Sequence, residues 1–507
     1  MKKRIIAVSV AAAMGGFVGT AGAQTTANLL QFNPAGVGHI LYVPYYSTQN
    51  GNVTAINIVN TDTKNGKVLK VRFRGASNSD DVYDFQVFLS PGDVWTAGIS
   101  NDNGVSRLDT VDKSCTLPAN VNGQFIISRT LGPAAADRPA ETREGYVEIL
   151  NMGDIVSDGS SGTTITNKQR LYNATKHVSG VAPCTASVLT ALTNENASTY
   201  MSNPTTGLMA NWTIINVSGT VAAYSGDASA IEARVSAGGA AGAANIVYWD
   251  QRSLSLTCAE ADANTADPLL RCTGISTLPT TTTTWVAGAR YDLPDLSTPY
   301  TLGTPTPAAQ ARELSDAIAT VEAAGEFYNL ASVSASTDWV VSFPTRRYGA
   351  AVRYTGASAP APVYNSAAAN IYFTSGNTAM GTAPRAYQLC QVLGVGAVNF
   401  YNREEAATET DDIVISPGTP TVLNLCGEVA VVGINAGAPL TSATYGSITR
   451  SNVQNGFVEG WGSLIVPSTN GLPFLARQFT RVADQLNNRL YGLTYGARIV
   501  TKGANAP

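Results

Sequence analysis

The sequence predicts a mainly β protein: two or more linked antiparallel β-sandwich domains, immunoglobulin-like or jelly-roll-like, with a few short helices. Three observations predict it. Apolar and polar residues alternate with period two between Val53 and Trp95, broken by turn signals. A second group of β-branched and aromatic runs follows residue 336. Only two stretches carry a helical period, Ala186 to Asn194 and Pro307 to Ala324.

The chain opens on a secretory signal. Lys2-Lys3-Arg4 is basic, Ile5 to Val18 is apolar and small, and Ala21-Gly22-Ala23 is a cleavage site, so 1–23 would be removed. Gln24 in place of Cys argues against a lipoprotein anchor. Losing Lys2, Lys3 and Arg4 takes the basic residues from 32 to 29 against 36 acidic, a net charge near −7. That balance disfavours nucleic acid, whose phosphates call for basic patches. Only 13% of residues are charged, a surface poor at keeping copies apart.

The expected domains are an N-terminal sandwich over 24–155, a mixed middle region over 156–335 and a C-terminal sandwich over 336–507. His39 to Tyr46 reads as a lead-in strand, with Pro44 suggesting an edge. Val53 to Asn60 follows, then the turn pair Asn65-Gly66, then Lys67 to Arg74. In that strand Leu69, Val71 and Phe73 form a dry face, and Lys70, Arg72 and Arg74 a wet one. Tyr83, Phe85, Val87 and Leu89 alternate again until Pro91-Gly92. The three strands read as a meander.

The middle region is polar, with Thr185 capping the first helix and a flexible bridge at Gly238 to Ala244. Thr306 caps the second helix, Leu314, Ile318 and Val321 form its stripe, and Gly325 ends it. Burial of that stripe against the chain's own sheet is favoured over membrane docking.

Six cysteines behind a signal peptide favour disulfides. Fifteen connectivities exist; sequential pairing (Cys115–Cys184, Cys258–Cys272, Cys390–Cys426) is preferred because each bridge closes a local module. Zinc lacks both a C-x-x-C pair and histidines, of which there are two.

No catalytic motif is present: no G-x-S-x-G, H-E-x-x-H or Walker loop, and no G-x-G-x-x-G opening a helix. His39 and His177 read as structural or solvated, and the chain is expected not to be an enzyme. Carboxylates cluster at Asp80, Asp81 and Asp84, at Glu404, Glu405, Glu409, Asp411 and Asp412, and at Asp154 with Asp158. Hard oxygen ligands in loops suit calcium, with Asp80, Asp81, Asp84, Asp411 and Asp412 as candidates; solvated loops are the plainer reading. Tyr42, Tyr45 and Tyr46 could stack on sugars, although strand aromatics more often pack across strands.

Five stretches carry a resemblance: Val59-Asn-Thr-Asp62, Val71-Arg-Phe-Arg-Gly75, Asp81 to Trp95, Asp338-Trp-Val-Val-Ser-Phe-Pro344 and Asn402-Arg-Glu-Glu405. In these the chain resembles the surface-layer proteins of Comamonadaceae-type betaproteobacteria, which also sheathe the vesicle-filled tubes called nanopods. The resemblance spans most of the mature chain and implies self-assembly into a regular outer coat, with no catalytic residues. The expected partners are copies of the chain itself and a lipid or polysaccharide of the outer-membrane surface, held non-covalently. A glycan-binding adhesin or fibre subunit is the alternative.

Overall fold

The computed structural model describes residues 25–251 and 300–501, with breaks at 131–133, 194, 219–221, 249–250, 305, 354–359, 366, 383–385, 395–396, 405–422, 435–438, 441–457, 467, 469 and 485–488. The signal segment, Cys258–Cys272, Glu405, Glu409, Asp411 and Asp412 lie outside the described residues.

The fold is mainly β, built of several antiparallel sheets with a few short helices. Sheet I runs, in spatial order, Leu29–Asn33, Ser229–Arg234, Ile40–Ser47, Glu144–Ile155, Gly66–Gly75, Asp81–Leu89 and Cys115–Leu117. Sheet II runs Ala222–Asp227, Leu208–Asn216, Asn52–Asn60, Val94–Asp102, Val105–Asp109 and Gly123–Gln124. Their inner faces share one core that includes Ile40, Ile56, Val71, Phe73, Trp95, Ile149 and Trp212. Sheet III runs Val398–Asn402, Glu459–Ile465, Ala319–Tyr328 and Leu472–Pro473, with Arg498–Thr501 also on Ala319–Tyr328. Sheet IV runs Val429–Ile434, Ser336–Ser342, Leu475–Asp484 and Arg489–Gly496. A second core between III and IV includes Phe327, Trp339, Val341, Phe400 and Leu464.

The two sandwiches are not beads on a linker. Val340 alternates with Trp339 and Val341 along one strand and joins the first core, as do Val431 and Phe479. Ser336–Ser342, a central strand of sheet IV, is therefore covered on both faces, which is why every residue in it is buried. The stretch expected to be a separate middle region is divided between the two halves. Leu208–Asn216 pairs with Asn52–Asn60, Ser229–Arg234 with Ile40–Ser47, and Ala319–Tyr328 with Glu459–Ile465.

Several local expectations need correction. Asn52–Asn60 and Gly66–Gly75 do not pair: the first lies in sheet II, the second in sheet I. Asn65-Gly66 is thus a crossing between sheets and not a hairpin turn. Asp62 sets it by accepting from the Lys64 and Asn65 backbone N–H groups at 2.8 and 3.1 Å, while Asn60 Nδ2 donates to Asn65 O at 2.8 Å. Pro44 lies in a central strand. Pairing there slips between Gly145 and Val147, and a bulge tolerates a residue without an N–H. Gly145 is held to glycine, because a Cβ would stand 1.8 Å from Arg74 O.

The second helix is shorter than its period suggests. It spans Pro307–Ile318, capped by Thr306 Oγ1 accepting from Ala309 N–H at 3.3 Å, and buries Leu314 and Ile318. From Ala319 the chain turns into a strand, because sheet III pairs Glu322 to Tyr328 with Glu459–Ile465. Gly325 is no helix stop; the Gln478 side chain occupies the space its Cβ would need. The first helix covers only Ala186–Leu189, and a helix at Asn167–Thr175, capped by Thr166 Oγ1 accepting from Gln169 N–H at 3.1 Å, went unpredicted because its mean hydropathy is low. Gly238 to Ala244 is a packed turn: Gly242 donates to Ala233 O at 2.9 Å and its carbonyl meets His39.

The face of Gly66–Gly75 expected to be wet is buried; all ten of its residues are. Glu148, on the neighbouring strand, accepts from Arg74 Nε at 3.0 Å and lies 3.5 Å from Arg347 Nη2, which comes from the other half of the chain. Replacing Glu148 with Gln leaves two buried guanidinium groups facing a neutral amide. Glu148→Gln should cost about 3–5 kcal/mol, read as a lower midpoint in denaturant unfolding.

Candidate functional site

The acidic candidates in the first half do not converge on an empty centre. Asp84 forms an ion pair with Lys70, and Asp81 Oδ2 lies 3.9 Å from Arg72 Nε. In the ladder Arg72 sits opposite Asp84 on one side and Glu148 on the other, and Arg74 opposite Asp81, so each carboxylate meets the cation diagonal to it. Burial pushes the Lys70 ammonium down to about 8, with Asp84 opposing. Asp80 is buried beside them. Among the described residues no group of three His, Cys, Asp or Glu side chains could hold a metal ion. Asp154 is buried and accepts from Lys67 Nζ at 2.9 Å, whereas Asp158 accepts from Ser160 N–H at 2.9 Å on the surface, so these two do not face a common centre. Glu404 is exposed on Arg403 at 2.7 Å.

Among the described residues two disulfides are formed, Cys115–Cys184 and Cys390–Cys426. The second joins residues directly opposite each other on neighbouring strands.

His39 is buried at the centre of the first half. Ala233 N–H donates to Nδ1 at 3.1 Å, so the proton is on Nε2, which donates to Gly242 O at 3.0 Å. Burial, with Lys67 nearby, holds its pKa at about 3. The ring is a neutral clamp between strands.

His177 does meet a serine and an aspartate. Ser90 Oγ lies 2.9 Å and Asp93 Oδ2 3.2 Å from its Nδ1. A hydrolytic relay needs the carboxylate on one ring nitrogen and the hydroxyl on the other. Here both meet the same nitrogen, and Asp93 Oδ2 also accepts from the Ser90 N–H at 3.0 Å. The trio fixes a turn and is not wired as a relay.

Tyr42, Tyr45 and Tyr46 are wholly buried and unavailable to sugars. Tyr46 packs edge-on against Phe73 and Phe125, and Tyr45 against Phe479 across the two halves.

Exposed aromatics lie elsewhere, on the second sandwich. Tyr491, Leu493 and Tyr495 alternate along Arg489–Gly496, the edge strand of sheet IV among the described residues, and are 48, 41 and 43% exposed. Nearby on sheet III, Trp461 is 43% exposed and stacks on Tyr401 with centroids 4.3 Å apart. Tyr328 lies between the two groups. Its hydroxyl donates to Glu326 Oε2 at 2.9 Å, and that bond, with the nearby Tyr495 and Glu459, pushes its pKa up to about 12. Sequence reasoning passed over this surface because period two assigns a parity but does not say which parity an edge strand leaves uncovered.

Compared with family models, curated proteins and solved structures, the chain matches none.

Asp338, where the halves meet, supplies a test by pH. Burial pushes its carboxyl up to about 7; the Leu440 N–H on Oδ2 at 3.0 Å and Arg481 oppose this, and Glu144 adds to it. The unfolded chain ionises near 3.8 while the folded one stays protonated, so this group's stabilisation is complete below pH 3.8 and lost as pH rises through 7. Asp338→Asn, which cannot ionise, should match the parent near pH 4. It should gain on it by about 1.4 kcal/mol per pH unit towards neutrality, as read by denaturant unfolding at several pH values.

Proposed function

We propose that this chain is a structural surface-layer protein that self-assembles into a two-dimensional coat on the outer surface of a Gram-negative cell or its vesicles. The observation that carries the reading is the exposed Tyr491, Leu493 and Tyr495 row on an edge strand. Edge strands carry unpaired backbone groups and exposed apolar rows invite contact, so natural proteins normally blunt them with charge or cover.

Charge points the same way. At least sixteen charged side chains are buried, of 68 in a chain already poor in them, so the surface carries even less charge than the composition suggests. Little like-charge repulsion then opposes lateral packing. The disulfides Cys115–Cys184 and Cys390–Cys426 and the burial of Ser336–Ser342 on both faces give the stiffness a tile needs. The resemblance to surface-layer proteins and the signal segment agree with export, and a non-covalent hold on outer-membrane lipid or polysaccharide completes the reading.

Purified mature chain should form sheets or tubes with a regular repeat in negative-stain microscopy, tried with and without calcium. Leu493→Asp should abolish arrays while leaving the melting temperature within a few degrees, because the side chain is exposed. A chain that stays monomeric at high concentration with calcium present overturns the reading.

A further inference from the structure

A cleft of about 680 Å³ opens where Leu208–Asn216 and Ala222–Asp227 of sheet II meet Leu475–Asp484 and Arg489–Gly496 of sheet IV. That volume lies in the range of small-molecule sites. Its polar lining is Asn211, Thr213, Ser225, Asp227, Arg477 and Thr494, with Gly226, Gly496 and the Trp212 ring completing it.

The charges in it cancel. Arg477 donates through Nη1 to Ala476 O at 3.0 Å and through Nη2 to Ser229 Oγ at 3.3 Å, and Asp227 is the carboxylate that offsets its burial. An anion would face Asp227, and a cation would face Arg477. An apolar ligand would cover the hydroxyl groups of Thr213 and Ser225 and deprive them of water, while the Asn211 amide oxygen already accepts from Asn57 Nδ2 at 2.8 Å. Thr494 Oγ1 already has no hydrogen-bond partner among the described residues. A neutral hydroxyl fits every part of this lining, since it donates to Asp227, accepts from Arg477 and does either with Asn211, Thr213 or Ser225.

We infer that this cleft is a binding site for a short neutral oligosaccharide. The inference is independent of the coat reading, because the site lies within one chain and needs no second copy.

Gly496 gives the sharpest test. A Cβ there would meet only Arg477, with Nη1 at 3.6 Å, so a larger side chain fills the cleft without disturbing the strand. The full mature chain is titrated with cellotriose, maltotriose and triacetylchitotriose by calorimetry and saturation-transfer NMR, with trigalacturonate as the charged comparison. At least one neutral trisaccharide should bind. Gly496→Leu should weaken it about tenfold or more with an unchanged melting temperature, and Asp227→Ala should weaken it several-fold. Asp227 is exposed, so this second variant decides the matter should the first fail to fold. Absence of binding by all three neutral sugars, preference for trigalacturonate, or affinity unchanged in both variants overturns the inference.

Discussion

The architecture depends on one buried carboxylate shared between two guanidinium groups. Glu148 sits on Glu144–Ile155, accepts from Arg74 on the adjoining strand, and faces Arg347 from the far half of the chain. It offsets part of the cost of burying both cations, which is high for a buried charge. The same layer holds Lys70 with Asp84, and Arg346 3.3 Å from Glu428. Backbone contacts reinforce the join, with Glu428 N–H donating to Ala76 O at 2.6 Å. Two apolar sandwich faces could slide over one another; an ionic layer fixes a single register.

This explains how much of the fold could be read from residues alone. The alternation of Lys67 to Arg74 locates a strand and assigns its side chains to two faces, and both statements hold. What alternation cannot supply is the partner of each face. Lys70, Arg72 and Arg74 look solvated because charge normally is, and the groups that meet them include Asp84, 14 residues from Lys70, but also Glu148, 74 residues from Arg74, and Gln251, 181 residues from Lys70. The helix that ends at Ile318 shows the same limit. Its cap and stripe are local and legible, whereas its early end reflects pairing with Glu459–Ile465, over 130 residues on. Cys115–Cys184 and Cys390–Cys426 could be proposed from order in the sequence because each closes a comparatively short loop.

The site expectations divide along the same line. Asp81 and Asp84 lie on one strand, and their carboxylates meet Arg72 and Lys70, cations diagonal to them on the neighbouring strand, and do not point at one centre. Tyr42, Tyr45 and Tyr46 follow the commoner fate of strand aromatics, packing into the core. Ser90, Asp93 and His177 show that residue types alone mislead: the set assembles, and the choice of ring nitrogen removes the chemistry.

Burying charge has a consequence for the outside. A chain with few ionic groups that commits many of them to its interior must cover its surface with amides, hydroxyls and short apolar side chains. Such a surface hydrogen-bonds readily to neutral polar matter and repels its own copies weakly. On the second sandwich, that weak repulsion leaves the Tyr491, Leu493 and Tyr495 row free to meet a neighbour. Between the sandwiches, the same neutrality makes the cleft around Arg477 and Asp227 suited to hydroxyl groups and unsuited to ions.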